Sequence, residues 1–201
     1  MKRGSMSTFE EIESWFLDEV DSLRSQAQLV YEEQVLPHHG DEKLHGFRHA
    51  LYGFMMNTMG LLDRLSCYDA GHQNTQTARM RDTLTTWFGV EADPAKMLIK
   101  MWRHTLMHTG TPIRMHSANK DMAYSWLIHW TEKELPREQH MKFHYGQLQN
   151  RVTVLNTALL LLIDDLKAAV EKLFEAARND SAKKAVIEQI HADIEDVRFS
   201  L

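Results

Sequence analysis

A chain of 201 residues with 43% hydrophobic and 25% charged residues has the composition of a single soluble globular domain with one core. Its formal net charge of −5 excludes general electrostatic attraction to nucleic acid, so any such contact requires a local basic patch. No apolar run approaches the roughly 18 residues of a membrane span, and the single cysteine, Cys67, excludes an internal disulfide. We therefore expect a cytoplasmic protein that does not insert into a membrane.

The first helix is predicted to begin immediately after a short leader. Residues 1–6 carry no structural pattern and are interpreted as a disordered start, either native or a cloning remnant. Ser7-Thr8 followed by Glu10 and Glu11 is typical of a helix N-terminus, since a hydroxyl caps a backbone N–H and acids favour the first turn. Apolar residues then recur at three- and four-residue steps as far as Val30, and Pro37 is expected to stop the helix.

A second helix is predicted over residues 41–68, with two distinct faces. One face carries an apolar seam close to a heptad repeat, made of Leu44, Phe47, Leu51, Phe54, Thr58, Leu61 and Leu65. Another face carries a glycine every seven residues, at Gly46, Gly53 and Gly60. Each interior glycine costs about 1 kcal/mol relative to alanine. The glycines are therefore either tolerated by chance or a surface that packs against another backbone, from an internal helix or a partner subunit.

Two shorter helices are predicted next. One spans residues 75–88 and is stopped by Gly89. The other restarts at Asp93-Pro94, a pair typical of an N-cap followed by proline at the first helical position. It is expected to end near Gly110, with Pro112 preventing continuation.

The hydrophobic period then changes from helical to alternating. Apolar and polar residues alternate over residues 124–130 and again over 141–145, with Pro136 between them. This pattern predicts a two-stranded β-hairpin insertion at about 122–146. A helical period returns from about Gln149 to Arg178, and Ser181 is expected to cap a last amphipathic helix.

These elements together define the expected fold. The class is all-α: an antiparallel helical bundle over residues 7–178 that carries the small two-stranded hairpin. Residues 179–201 form a C-terminal amphipathic helix packed on the bundle.

The segment 102–112 holds the most chemically suggestive side chains, at the expected C-terminal end of a helix. Arg103 presents a planar guanidinium suited to a phosphate. His104 and His108 are four residues apart, and the carbonyl end of a helix stabilises an imidazolium by roughly 0.3–1 kcal/mol. A titratable histidine beside a fixed cation is a minimal set of groups for RNA phosphodiester cleavage.

The run Arg103-His104-Thr105-Leu106-Met107-His108 resembles the Arg-polar-x-x-x-His signature of HEPN-domain proteins, which also lies at a helix end in an all-α bundle. The resemblance implies a metal-independent endoribonuclease, without cofactor, of a toxin–antitoxin or defence system. It implies a homodimer in which two motif helices form one composite cleft. Arg103 would bind the phosphate, His108 would act as catalytic acid or base, and His104 would fill the polar position that is more often asparagine or aspartate.

Further residues are candidates for contact with an RNA or nucleotide. The candidate substrate-binding residues are Thr109, Arg114, Trp126, His129 and His144. Trp126 and Trp130 share a strand face and could stack a base, although packing on the helices is the alternative. A local basic patch could offset the net negative charge and would comprise Arg103, Arg114, Lys120, Arg137 and Lys142.

Several plainer interpretations stay open. Arg103 could pair with an acid, and His108 could cap its own helix. His45 and His49 are also four apart and, with the motif histidines, could bind a metal as in DinB-like bundles. Histidines on the hairpin are expected to be partly exposed, and Asp164-Asp165 to be a polar break in a helix. The alternatives to a nuclease are thus a non-catalytic HEPN-like module that binds a nucleotide or a partner, such as an antitoxin or regulatory protein, and a metal-dependent histidine-rich enzyme.

Overall fold

The computed structural model describes residues 7–38, 47–71, 74–103, 115–116, 123–145 and 152–199. These ranges contain the α-helices α1 (Phe9–Val30), α2 (Phe47–Ala70), α3 (Gln76–Trp87), α4 (Ala92–Met101), α5 (Leu159–Arg178) and α6 (Ser181–Phe199). They also contain the strands β1 (Met115–His116), β2 (Ala123–His129), β3 (Lys142–Tyr145) and β4 (Val152–Ala158). The described part of the chain is therefore mainly helical, as predicted, with a small sheet.

The predicted start of the first helix is confirmed. Thr8 Oγ1 accepts the backbone N–H of Glu11 at 3.2 Å, and Glu11 Oε2 accepts the backbone N–H of Thr8 at 2.7 Å. This reciprocal capping box satisfies two backbone donors that the first turn would otherwise leave unpaired. Beyond α1 the chain continues as a π-helical turn (Tyr31–Val35) and a 3-10 turn (Leu36–His38).

The core lies where α1, α2 and α5 meet, and α6 closes it from the side of α2. Phe9 contacts Phe174 and Phe16 contacts Tyr68, with ring centroids 5.1 and 5.6 Å apart. The Tyr68 hydroxyl is also hydrogen-bonded to Nδ1 of His191 at 2.9 Å, and both residues are buried. This buried polar contact fixes α6 to the rest of the core, because either group left unpaired would cost about 1–3 kcal/mol.

The sheet is larger than the predicted hairpin, and its pairing differs. The four strands lie in the order β1-β2-β4-β3. β2 is parallel to β4, whereas β3 is antiparallel to β4 and β1 is antiparallel to β2. The two predicted strands are therefore real, but the prediction that they pair with each other is wrong, because β4 lies between them.

The prediction of a continuous helix from Gln149 to Arg178 is also wrong. Residues 152–158 form β4, and α5 begins only at Leu159. The strand therefore passes into the helix without a loop. In the first turn of α5, the backbone N–H of Leu160 bonds to the carbonyl of Trp130 at 3.0 Å. Val152, Leu155 and Leu159 follow one another at three- and four-residue steps, as on a helix, so hydrophobic spacing does not distinguish strand from helix here.

The N-cap assignments at Asp93 and Ser181 are displaced by two residues and by one residue. α4 begins at Ala92 with Glu91 as N-cap, so Asp93 and Pro94 lie inside the first turn. Proline is tolerated there because the first-turn N–H groups have no helical acceptor. At the start of α6, the cap is supplied not by Ser181 but by Asp180, whose carboxylate accepts the backbone N–H groups of Ala182 and Lys183.

The glycines of α2 do not pack against another helix of the same chain. A Cβ added at Gly53 or at Gly60 would have no atom within 4 Å, and both positions are exposed. The internal-helix interpretation is therefore wrong for these two glycines, and Gly46 lies outside the described residues.

Some predictions fall on parts of the chain that the structure does not describe. They concern the leader (1–6), the start of the second helix (41–46) and the helix end and loop (104–114). Within the described ranges, none of the helices combines the length and the apolar content that crossing a membrane requires.

Candidate functional site

Arg103 lies directly after α4, where the helix widens into a π-helical turn at residues 102–103. Trp102, 4% exposed, anchors this turn in the core, and its backbone N–H bonds to the carbonyls of Leu98 and Ile99. The next side chain, that of Arg103, is only partly buried and is directed towards α3. The end of α4 thus presents a guanidinium at the surface from a fixed backbone.

The guanidinium of Arg103 is held by a neutral group. Its Nη1 donates a hydrogen bond of 2.6 Å to Oγ1 of Thr77, in the first turn of α3. Within the described ranges, no carboxylate lies within ion-pair distance of Arg103. One of five donors is used by Thr77, and the charge is not neutralised by a described acid.

The other motif residues cannot be placed beside Arg103. His104, His108, Thr109 and Arg114 lie outside the described residues, as does Lys120 of the basic patch. The convergence of arginine and histidine therefore stays a prediction from the sequence.

Trp126 is part of the core and does not present a ring to solvent. It is 2% exposed, and its indole N–H donates to Oγ1 of Thr157 at 2.9 Å. Trp130 is likewise 5% exposed and contacts Tyr31 and Phe54. Base stacking by either ring is incompatible with this packing, so the alternative of packing on the helices applies.

His129 and His144 share the outer face of the sheet. His144 is paired with Val154 and His129 with Ala158, and residues four apart on one strand point to the same side. Along the strands they are separated by roughly 13 Å, four residues of about 3.3 Å each. His144 is exposed, whereas burial lowers the pKa of His129 despite the opposing effects of Glu134 and Asn156.

A polar cluster of His140, Asp165 and Arg137, which the sequence did not reveal, lies where β4 passes into α5. His140 was expected to be partly exposed, but it is 6% exposed. Its Nδ1 accepts the backbone N–H of Ala158 at 3.0 Å, so the neutral ring carries its proton on Nε2. That Nε2 lies 3.3 Å from Oδ2 of Asp165, although the ring N–H is not well aligned with it.

Asp165 joins this buried histidine to an exposed arginine. Arg137 Nη1 donates to Oδ1 of Asp165. Burial raises the pKa of Asp165, but hydrogen bonds and charge from His140 and Arg137 outweigh it and hold the pKa below its ordinary value. Both nitrogens of His140 face protein groups, so the cluster fixes the 131–141 segment rather than offering a free acid or base.

The cluster also changes the expected basic patch. Arg137 was counted as an available cation, but its charge is compensated by Asp165. Lys142 is exposed and remains a candidate. The polar break predicted at Asp164-Asp165 consists of two ion pairs, since Asp164 Oδ1 accepts from Arg24 Nε at 2.8 Å.

No group of three or more histidine, cysteine or acidic side chains that could hold a metal ion occurs among the described residues. That finding does not test the hypothesis that a metal is bound by His45, His49, His104 and His108, because their side chains lie outside the described residues.

Neither a protein-family model, nor a curated protein, nor a solved structure matches the chain. The arrangement around Arg103 therefore carries the functional argument without support from a relative.

Proposed function

We propose that the chain is a metal-independent endoribonuclease of HEPN type, acting in the cytoplasm in a toxin–antitoxin or defence role. Its helices form a HEPN-like bundle, and two copies place their motif helices across one composite cleft. An antitoxin or other regulatory protein restrains it.

The observation that supports this proposal is the state of Arg103. A guanidinium at a helix end, positioned by the Thr77 hydroxyl and without a described carboxylate partner, is available to an external anion. Two other partly exposed arginines of the chain do have an acid partner, Arg64 in Glu19 and Arg24 in Asp164. The plainer interpretation that Arg103 pairs with an acid finds no partner in the described part of the chain.

In the proposed reaction, Arg103 stabilises negative charge on the phosphate as the 2′-oxygen attacks phosphorus and the 5′-oxygen leaves. His108 removes the proton from the 2′-hydroxyl or returns one to the leaving oxygen. His104 lies beside Arg103 in sequence and assists in holding the phosphate. Thr109, Arg114 and the exposed His144 contact the flanking RNA.

A second candidate is the non-catalytic HEPN-like module that binds a nucleotide or a protein. The formal net charge of −5 and the neutralisation of Arg137 by Asp165 favour it, because both reduce the attraction of a long RNA. Binding of one nucleotide at Arg103 without strand cleavage is the result that this version predicts.

The test is cleavage of single-stranded and structured RNA by the purified full chain in EDTA. Arg103→Ala and His108→Ala should each lower the rate about 10²–10³-fold, the loss seen when one transition-state stabiliser is removed. Arg81→Ala is the matched control, since Arg81 is an exposed arginine of α3 paired with Asp82. Nucleotide binding without cleavage would instead indicate the second candidate, and activity abolished by EDTA would indicate the metal-dependent alternative.

Thr77 provides a positioning variant for the same test. Thr77→Val removes the hydroxyl that holds Arg103 but leaves the guanidinium in place. We expect a loss of about 10-fold in kcat/KM, recovered by Thr77→Ser, with KM changing less than kcat. Equal losses in Thr77→Ser and Thr77→Val would contradict positioning through the hydroxyl.

A further inference from the structure

A small cleft lies beside the polar cluster of His140, Asp165 and Arg137. It is enclosed between the turn that joins α3 to α4 and the start of β3, and it has a volume of about 210 Å³. Pockets for drug-sized ligands have volumes of about 300–1,000 Å³, so this cleft suits a smaller molecule. All of its lining residues belong to the described ranges.

Met141, which lines the cleft, has an unusual backbone conformation. Its φ is +57°, in the left-handed region that a residue with a long side chain rarely adopts. The residue is nevertheless fixed, since it is 5% exposed and its backbone N–H bonds to the carbonyl of Asn156 at 2.9 Å. Backbone strain of this kind concentrates at functional sites. The strained residue and the perturbed carboxyl group of Asp165 meet at this cleft, a combination that indicates a binding site.

The side of the cleft formed by β3 and the preceding 3-10 turn (Arg137–Gln139) carries two cations. Arg137 uses Nη1 for its bond to Asp165, which leaves its other N–H donors available. Lys142 is exposed and forms no ion pair with a described residue. Positive charge is therefore available to an acidic group of a ligand.

The other sides, formed by the α3–α4 turn and by α5, carry two carboxylates. Glu91 is the N-cap residue of α4, yet its side chain does not cap the helix, and it forms no ion pair with a described residue. Burial opposes the charge of Asp165, but hydrogen bonds from His140 and Arg137 hold its pKa below the ordinary value, so it is ionised at pH 7. Its Oδ2 receives only a poorly aligned contact from His140 and can accept a further donor.

This distribution of charge selects the type of ligand. A small anion would meet the carboxylates of Glu91 and Asp165, and a small amine would meet Arg137 and Lys142. The four side chains have no net charge together, and Lys142 and Glu91 do not form an ion pair with each other. A zwitterion, which carries both signs and no net charge, is the complementary molecule.

We propose that this cleft binds a free α-amino acid with an apolar side chain. The carboxylate of the amino acid bonds to Lys142 and to the unused donors of Arg137. Its ammonium group donates to Glu91 and to Oδ2 of Asp165, which an ammonium can do because it has several donors on one atom.

The apolar part of the lining accounts for the side chain of the ligand. Phe88, Val90 and Met141 line the same cleft, and an apolar side chain placed against them is removed from water. Arg103 and Thr77 are not among the lining residues, so this site does not depend on the proposed nuclease. Arg103→Ala should accordingly leave amino-acid binding unchanged.

Isothermal titration of the full chain with L-alanine, L-valine and L-leucine tests the proposal. We expect one site per chain and a Kd of about 1 mM or lower for the tightest of the three. The amide of that amino acid lacks the carboxylate, and its N-acetyl derivative lacks the ammonium group. Each derivative should bind at least ~10-fold more weakly, because each loses hydrogen bonds between charged groups.

Two charge variants locate the binding to this cleft. Lys142→Met and Glu91→Gln should each weaken the amino acid about 3-fold or more, since both side chains are exposed and contribute modestly. Lys133→Met and Glu138→Gln are the matched controls, because they remove exposed charges that do not line the cleft. All four variants should keep the urea midpoint of wild type.

The derivatives and the variants together identify which charge meets which group. In Lys142→Met the preference for the amino acid over its amide should shrink, and in Glu91→Gln the preference over the N-acetyl derivative should shrink. No binding of any of the three amino acids, equal affinity for the amide or the N-acetyl derivative, or an affinity unchanged in either cleft variant would each overturn the proposal.

Discussion

Asp165 offers the most direct test of the cluster at the β4–α5 junction. Asp165→Asn keeps the shape of the side chain and removes the charge that faces His140 and Arg137. The neighbouring Asp164→Asn is the matched control. The Asp165 side chain is 23% exposed and its His140 partner 3%, whereas Asp164 and its partner Arg24 are 44% and 31% exposed.

The expected losses follow from these exposures. A well-aligned hydrogen bond to a charged group contributes about 1.5–3 kcal/mol, and an exposed ion pair contributes about 0–1 kcal/mol. The Arg137 side chain is 50% exposed, so most of the effect comes from the buried histidine, whose poorly aligned Nε2 contact with Asp165 lies at the low end of the first range. We expect Asp165→Asn to lower the free energy of unfolding by about 1–2 kcal/mol and Asp164→Asn by about 0.5 kcal/mol.

The pH dependence separates a charge effect from a packing effect. The folded-state pKa of Asp165 lies below its ordinary value of 3.8. Its contribution to stability is therefore fully present above that ordinary value and is lost as the pH falls through the folded pKa. The difference between wild type and Asp165→Asn should be largest near pH 7 and should shrink below about pH 4.

Urea unfolding followed by tryptophan fluorescence, at a series of pH values, measures these differences. Equal losses for Asp164→Asn and Asp165→Asn would refute the reasoning, because burial of the partner would then be irrelevant. A difference that stays constant down to pH 3 would show that the aspartate acts through shape and not through charge.

Three further outcomes are expected. Thr8→Ala should lower the free energy of unfolding by about 1 kcal/mol through loss of the capping box, measured by urea titration. Trp126→Phe should cost about 1 kcal/mol or more because it removes the buried bond to Thr157, and an unchanged urea midpoint would contradict that contact. His129 should titrate below its ordinary pKa of 6.5 in an NMR series, since burial disfavours its charged form; a higher value would mean that the ring is solvated.

Helix starts could be predicted because the physics that sets them is local. Thr8 and Glu11 satisfy each other's backbone within one turn, and the Thr75 hydroxyl caps α3 with one bond, from the N–H of Ala78. Gly89 ends its helix with a positive φ of 69°, a conformation that glycine adopts without steric penalty. Each of these signals lies within a few residues of the feature that it determines.

β4 could not be predicted from hydrophobic spacing because its partners are distant in sequence. Trp126 pairs with Leu155 and Phe143 pairs with the same Leu155 from the other side. Val154 and Thr157 are β-branched, which favours a strand, but Leu159 and the apolar residues after it extend the helical period back into the strand. β4 is buried on both faces, which removes the alternation of exposed polar and buried apolar residues that would otherwise have identified it.

The cluster of His140 and Asp165 could not be predicted either, because its residues are also distant in sequence. A histidine in a loop and an acid on a helix 25 positions away are unremarkable in the sequence, and only the register of β4 brings them together. Arg103 was proposed from the sequence because its motif is contiguous, and its functional role stays a prediction. The sequence did not indicate its contact with Thr77, because that hydroxyl lies on a different helix.

The spacing of the motif sets a physical demand on the end of α4. On an ideal α-helix, residues five apart are separated by about 140° around the axis, so Arg103 and His108 would need a long side chain and a frayed end to meet. The structure describes this end as far as Arg103, with Trp102 fixed in the core and Thr77 holding the guanidinium. The convergence of Arg103 and His108 therefore stays a prediction from the sequence, and the Arg103→Ala and His108→Ala variants test it as a pair.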